Sequence, residues 1–138
     1  MKDAKLKDKV LYNGSLMTIV AIKSDADGWC DTFVVTDGKE TIEINDYDCV
    51  FAPDDSIRDE VPRLYSYLAK NGIYGEIYTA PAKVELLIEW GDWKHDHGFA
   101  DYLMTLVGYR CVGHEVTEDD GSDCYSAIHT YTKSMKAA

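Results

Sequence analysis

Residues 83–133 read KVELLIEWGDWKHDHGFADYLMTLVGYRCVGHEVTEDDGSDCYSAIHTYTK. Lys83–Trp90 is an apolar run of strand length. Phe99, Leu103 and Val107 recur at helical spacing with Tyr102 and Leu106 beside them, and Gly108 supplies the stop. Tyr109–Glu118 and Cys124–Lys133 read as strands around the turn-rich stretch Asp119–Asp123. A strand, a helix and a strand joined by short links predict a parallel β-α-β unit with a right-handed crossover, hence a mixed sheet. Segment 91–98 and the hairpin tip 119–123 then share one end of that sheet, where ligands tend to collect.

That end is chemically dense. Trp90-Gly-Asp-Trp-Lys-His-Asp-His97 packs two Trp, two Asp and two His into eight residues. Imidazole and carboxylate together suit Zn²⁺, Mn²⁺ or Fe²⁺, and clustered carboxylates suit Mg²⁺ or Ca²⁺. The candidate divalent-metal ligands are Asp92, His95, His97, Asp119 and Asp123, with Asp96 and Asp120 close by. His95 and His97 share a side only if the segment is extended. The same residues also have structural uses: Asp92 or Asp96 as a helix N-cap, Asp119–Asp123 as turn formers, Trp90 and Trp93 as core. His114 and His129 come close to facing each other across the hairpin. Trp90, Trp93 and Tyr125 offer stacking surfaces for a small molecule or nucleotide. HExxH, Walker A, GxSxG and GxGxxG patterns are absent, and spacing selects no catalytic triad.

Upstream, Asp54–Ser56 opens a helix, with Ser56 and Asp59 placed as a near capping box. Pro62 either kinks that helix or begins a second one. Leu64, Tyr65 and Leu68 form its apolar stripe, and Asn71-Gly72 ends it. Ile73–Thr79 is a strand that turns through Ala80-Pro81-Ala82. Residues 55–138 thus follow an α-β-β-α-β-β order, and the chain as a whole is α+β.

Residues 1–54 read as short antiparallel strands. Lys9–Tyr12 leads into the tight-turn pair Asn13-Gly14. Ser15–Ser24, Trp29–Thr36 and Lys39–Asn45 follow, separated by Asp25–Gly28 and Asp37-Gly38, and a last strand ends at Phe51. The K-V-x-Y-x-G opening at residues 9–14, followed by tight hairpins, resembles a small SH3-like barrel. The resemblance covers the first third of the chain and implies a fold without specifying a partner.

The 138 residues carry 25 acidic against 14 basic side chains, a net charge of −11. The imbalance is spread along the chain: 11 acids and 6 bases lie in residues 1–54, and 14 and 8 in the rest. Such a field repels phosphate backbones and anionic membranes and favours a basic protein surface or a metal ion. The first expectation is therefore a non-enzymatic acidic interaction protein that inhibits a basic, nucleic-acid-handling partner. By analogy of charge and size alone, it would be of the phage anti-defence, anti-CRISPR-like type. Asp54, Asp55, Asp59 and Glu60 form one contact strip, with Trp90 and Trp93 as aromatic contacts and Asp25, Asp27, Asp46 and Asp48 as further acidic positions. The divalent-metal module or metal-dependent enzyme is the second expectation. MKDAKLKDKV has no apolar signal-peptide core, so a cytoplasmic setting with four reduced cysteines is expected.

Overall fold

The computed structural model describes residues 4–24 and 30–133. The turn expected at 25–28, Trp29, and the contact positions Asp25 and Asp27 lie outside them. The protein is α+β, with two antiparallel sheets and two α-helices among the described residues. It divides into two compact units: residues 1–54 with Lys70–Gly72, and residues 55–69 with 73–138.

The first unit holds β1 (Lys9–Tyr12), β2 (Ser15–Ser24), β3 (Asp31–Thr36), β4 (Thr41–Asn45) and β5 (Val50–Phe51). Their order in the sheet is β4-β3-β2-β1-β5. Asn13 and Gly14 both take positive φ, 48° and 79°, the backbone that a two-residue hairpin needs. Val10, Ile19, Phe33, Val35 and Phe51 are almost fully buried and form the centre of the core. The Asn71 side chain donates to the Phe51 carbonyl at 3.0 Å and accepts from its N–H at 2.8 Å, satisfying both groups of a buried residue. A 3-10 turn, Asp46–Asp48, precedes β5. Asp46 is buried there and accepts from the Asp31 N–H at 3.3 Å, so this expected surface contact faces inward, whereas Asp48 is exposed.

In the second unit the helix begins later than its sequence suggests. Residues 55–56 form a turn, and α1 spans Glu60–Lys70, all but Lys70 belonging to this unit. Pro62 falls in the first turn, where its missing N–H leaves no helical bond unmade. The buried face is Leu64, Tyr67 and Leu68, the i, i+3, i+4 set, whereas Tyr65 is half exposed. Strands β6 (Glu76–Ala80) and β7 (Lys83–Asp92) follow, then a π-helical turn (Trp93–Gly98), α2 (Phe99–Leu106), β8 (Tyr109–Asp119) and β9 (Cys124–Lys133). On α2 the buried residues are Ala100, Leu103 and Met104.

The expected mixed sheet is corrected. The order is β6-β7-β9-β8 and every pairing is antiparallel. Strands β7 and β8 do run in the same direction, but β9 lies between them. The reason is polarity. Strand β9 buries Ala127, His129 and Tyr131 and can occupy the centre, whereas β8 is exposed along nearly its whole length and suits an edge. Two bulges in β8 further distort that edge. Cys111 and Cys124 are free thiols. Among the described residues no helix is long and apolar enough to cross a membrane.

Candidate metal centre

Antiparallel register sets up the site. In β9, residues 127, 129 and 131 share the buried face. Across the sheet, Leu86 lies opposite His129, and His129 lies opposite His114. On the next row Ile88 lies opposite Ala127, whose small side chain leaves room above the sheet. The chain reaches that space by an unusual path. Strand β7 bulges between Ile88 and Gly91, and Trp90 takes φ +50°, a left-handed conformation costly for a bulky residue. Its N–H donates to Ser126 Oγ at 2.9 Å. Gly91 lies so close to Ile88 and Asp96 that a Cβ there would sit 2.9 Å from the Ile88 side chain and 2.8 Å from that of Asp96. The π-helical turn that follows lowers His97 onto the sheet.

His97 is 2% exposed and His129 is fully buried. The His97 ring stacks on Tyr125 with centroids 4.2 Å apart, and on His129 at 5.0 Å. His114 closes the group, 4.5 Å from the His129 ring and 5.8 Å from that of His97. One nitrogen from each of the three rings falls within a common radius, all three lying within 4.8 Å of one another. His114 is exposed, so the cluster opens to solvent on that side.

The outer nitrogens are anchored. His129 Nδ1 lies 2.8 Å from Asp101 Oδ1, and His97 Nε2 lies 2.9 Å from the Tyr125 carbonyl. Both partners can only accept, so both outer nitrogens carry hydrogen. Tyr131 donates a second hydrogen bond to Asp101 Oδ1 at 2.6 Å. Burial pushes the Asp101 carboxyl upward, but the bonds from His129 and Tyr131 outweigh it and hold the group below its ordinary range. The inner nitrogens, His97 Nδ1 and His129 Nε2, then face each other 2.7 Å apart. Two neutral rings would oppose lone pairs at that distance. At that distance the contact is a hydrogen bond that needs one proton between the two nitrogens, and a metal ion bound by both would need them farther apart. Desolvation, and then the neighbouring His129 and His97, lower the pKa of His114 and favour its neutral, ligating form.

The residues expected from sequence have other positions. His97 joins the cluster, but His95 points outward, 80% exposed, and pairs with Asp92 at 2.8 Å. The separation follows from the helical path, since only an extended backbone would put both imidazoles on one side. Asp92 caps the π-helical turn, accepting from the N–H groups of Lys94 and His95. Asp96 accepts from the Asp92 N–H. Asp92 lies opposite Cys124 and Asp119 opposite Tyr125, so the two segments do leave the sheet at one end. Asp119 and Asp120 are nevertheless engaged in the turn, accepting from Gly121 and Ser122, and Asp123 is exposed. Trp90 and Trp93 are exposed, at 44% and 65%. Asp54 and Asp59 are exposed, Asp55 pairs with Arg63 at 3.2 Å, and Glu60 pairs with Lys133 at 3.4 Å. Asp101 had no distinguishing sequence signal. His114 and His129 had one in the hairpin register, which needed His97 added to become a centre.

Comparison with protein-family models, with curated proteins and with solved structures finds no match to this chain.

Proposed function

We propose that the protein is a divalent transition-metal-binding module of the zinc type, with His97, His114 and His129 as ligands. The observation that carries this reading is the pair of inner imidazole nitrogens held face to face while both outer nitrogens are anchored. Asp101 and the Tyr125 carbonyl then occupy the outer positions usual for histidines that hold zinc. Tetrahedral Zn–N bonds of about 2.0–2.1 Å place two ligand nitrogens about 3.3 Å apart, so the rings would separate by a few tenths of an ångström on loading. Three neutral imidazoles favour zinc or a neighbouring soft divalent ion over Mg²⁺ or Ca²⁺, which prefer oxygen. The exposed side of His114 leaves a fourth position for water or a ligand atom.

The test is metal analysis of protein purified without a His tag, followed by calorimetric titration with Zn²⁺. One ion per chain is expected, with His114→Ala weakening binding at least tenfold while the fold is retained. Failure of the wild type to take up Zn²⁺, Co²⁺, Ni²⁺ or Cu²⁺ at micromolar concentration would sink the assignment.

A second reading, an acidic surface that occupies a basic protein partner, is favoured by the net charge of −11 and the exposed Asp54, Asp55 and Asp59. We also read the first unit as SH3-like. Its order β4-β3-β2-β1-β5, with the last strand returning beside the first after a 3-10 turn, supports that reading.

A further inference from the structure

At the end of the second sheet away from the imidazoles, the chain forms a cleft of about 440 Å³. Register places it: Lys133 lies opposite Tyr109, Thr132 opposite Arg110, and Tyr131 opposite Val84. Lys83 enters from the start of β7. Ala80, Ala82 and Val84 supply apolar lining, while Lys83, Arg110 and Lys133 supply charge. A smaller adjoining cleft shares Glu60, Tyr109 and Lys133 and adds Arg58 and Arg63.

We propose that this cleft binds a small organic anion, with a carboxylate or phosphate head held by the cations and an apolar body on the Ala80–Val84 turn. The charge distribution is the first reason. Five cations and one carboxylate line the two clefts; Arg63 and Lys83 also pair with Asp55 and Glu85, which brings the local charge to +2 in a chain of net −11. Chance scatter in so acidic a chain would favour acids in a cleft.

The second reason is hydrogen-bonding capacity. Glu60 is already engaged by the Tyr109 hydroxyl and by Lys133 at 3.4 Å, so it does not neutralise Arg110. Arg63 is paired with Asp55 at 3.2 Å and its Nε is buried, so the guanidinium open to a ligand is that of Arg110. Arg110 Nε reaches only Thr132 Oγ1 at 3.4 Å, and among the described residues no carboxylate lies within ion-pair distance of Arg110. Guanidinium forks match the paired oxygens of carboxylate and phosphate. The volume falls within the range of about 300–1,000 Å³ typical of small-molecule sites, whose lining is mostly apolar. The surrounding negative field argues against an extended polyanion, whose outer charges would leave the cleft. A compact anion avoids that repulsion.

The site is independent of the metal centre and is tested apart from it. Phenylpropionate, phenyl phosphate and the neutral phenylpropanol would be titrated into the full chain, followed by amide NMR shifts. Saturable shifts at residues 82–84, 109–110 and 132–133 are expected for at least one anion, with binding at least tenfold tighter than for the alcohol. Arg110→Gln, an exposed position, should weaken that anion about tenfold, the scale of a lost charge-assisted bond. Which head group binds more tightly then separates phosphate from carboxylate. In a His114→Ala background the anion affinity should be unchanged. No saturable shift at millimolar probe, equal affinity for the alcohol, shifts elsewhere, or an unaffected Arg110→Gln variant would each overturn the proposal.

Discussion

At the scale of single residues, Asp101 and Tyr67 carry the sharpest expectations. Asp101 touches no ion itself in the proposed centre but fixes the tautomer and direction of His129. Asp101→Asn keeps an acceptor and removes the charge, and should lower zinc affinity about 10-fold or more while leaving stoichiometry at one. Equal zinc titrations of variant and wild type would show that the carboxylate does not act through His129. Tyr67 donates its hydroxyl to the Leu103 carbonyl at 2.7 Å in the core of the second unit. Burial, and then Tyr102, raise its pKa well above the ordinary phenol range. Because the folded value is raised, the stabilisation is fully present below the unfolded pKa of about 10 and is lost as pH rises from there toward the folded value. Tyr67→Phe should cost about 1 kcal/mol at neutral pH from the orphaned carbonyl and should flatten the alkaline loss. Urea midpoints at neutral and alkaline pH measure both effects.

At the scale of elements, the π-helical turn is what turns sequence neighbours into a centre with distant partners. His95 and His97 are two residues apart yet one is solvent-facing and the other buried, because the backbone rotates between them. Removing the cap with Asp92→Ala should destabilise the second unit by about 1 kcal/mol. It should still leave one zinc bound, since Asp92 is not among the three proposed ligands; loss of all metal binding would reassign the centre toward Asp92. Gly91→Ala should be worse, as its Cβ would meet Asp96 and Ile88 below 3.0 Å and displace the turn carrying His97. Loss of both stability and zinc affinity is the expected result in thermal melts and titration. Segment 83–106 was legible as a strand and a helix because both have clear apolar periods. The π-helical turn between them was not, because its polar composition fits a loop equally well and its shape is imposed by the bulge at Trp90 and the Asp92–Asp96 bonds.

At the scale of the molecule, binding to the folded state stabilises every segment that unfolds together with the site. Zinc at 100 times its dissociation constant should stabilise by about 2.7 kcal/mol. Hydrogen exchange should show that protection in residues 83–133; no added protection there would place the ion elsewhere. The charge of −11 makes a different prediction for the basic-partner reading. Screening over about 8 Å at physiological ionic strength must weaken the steering part of any such association as salt rises. A pull-down at low and high salt, with Asp54, Asp55 and Asp59 all changed to Lys, tests this; recovery of one partner regardless of salt and charge would remove acidity as the device.

The sequence by itself determined the acidic character, the α+β class and the near-alignment of His114 with His129, since charge, apolar period and hairpin spacing are local properties. Tertiary structure alone decided that β9 separates β7 from β8, that Tyr67 rather than Tyr65 is buried, and that Asp101 meets His129. Each depends on which surface is apolar enough to be covered by a distant segment. Burial of β9 beneath α2 and the π-helical turn is also what brings His97 to the histidine pair, a neighbour 32 residues from His129 that no local spacing specifies.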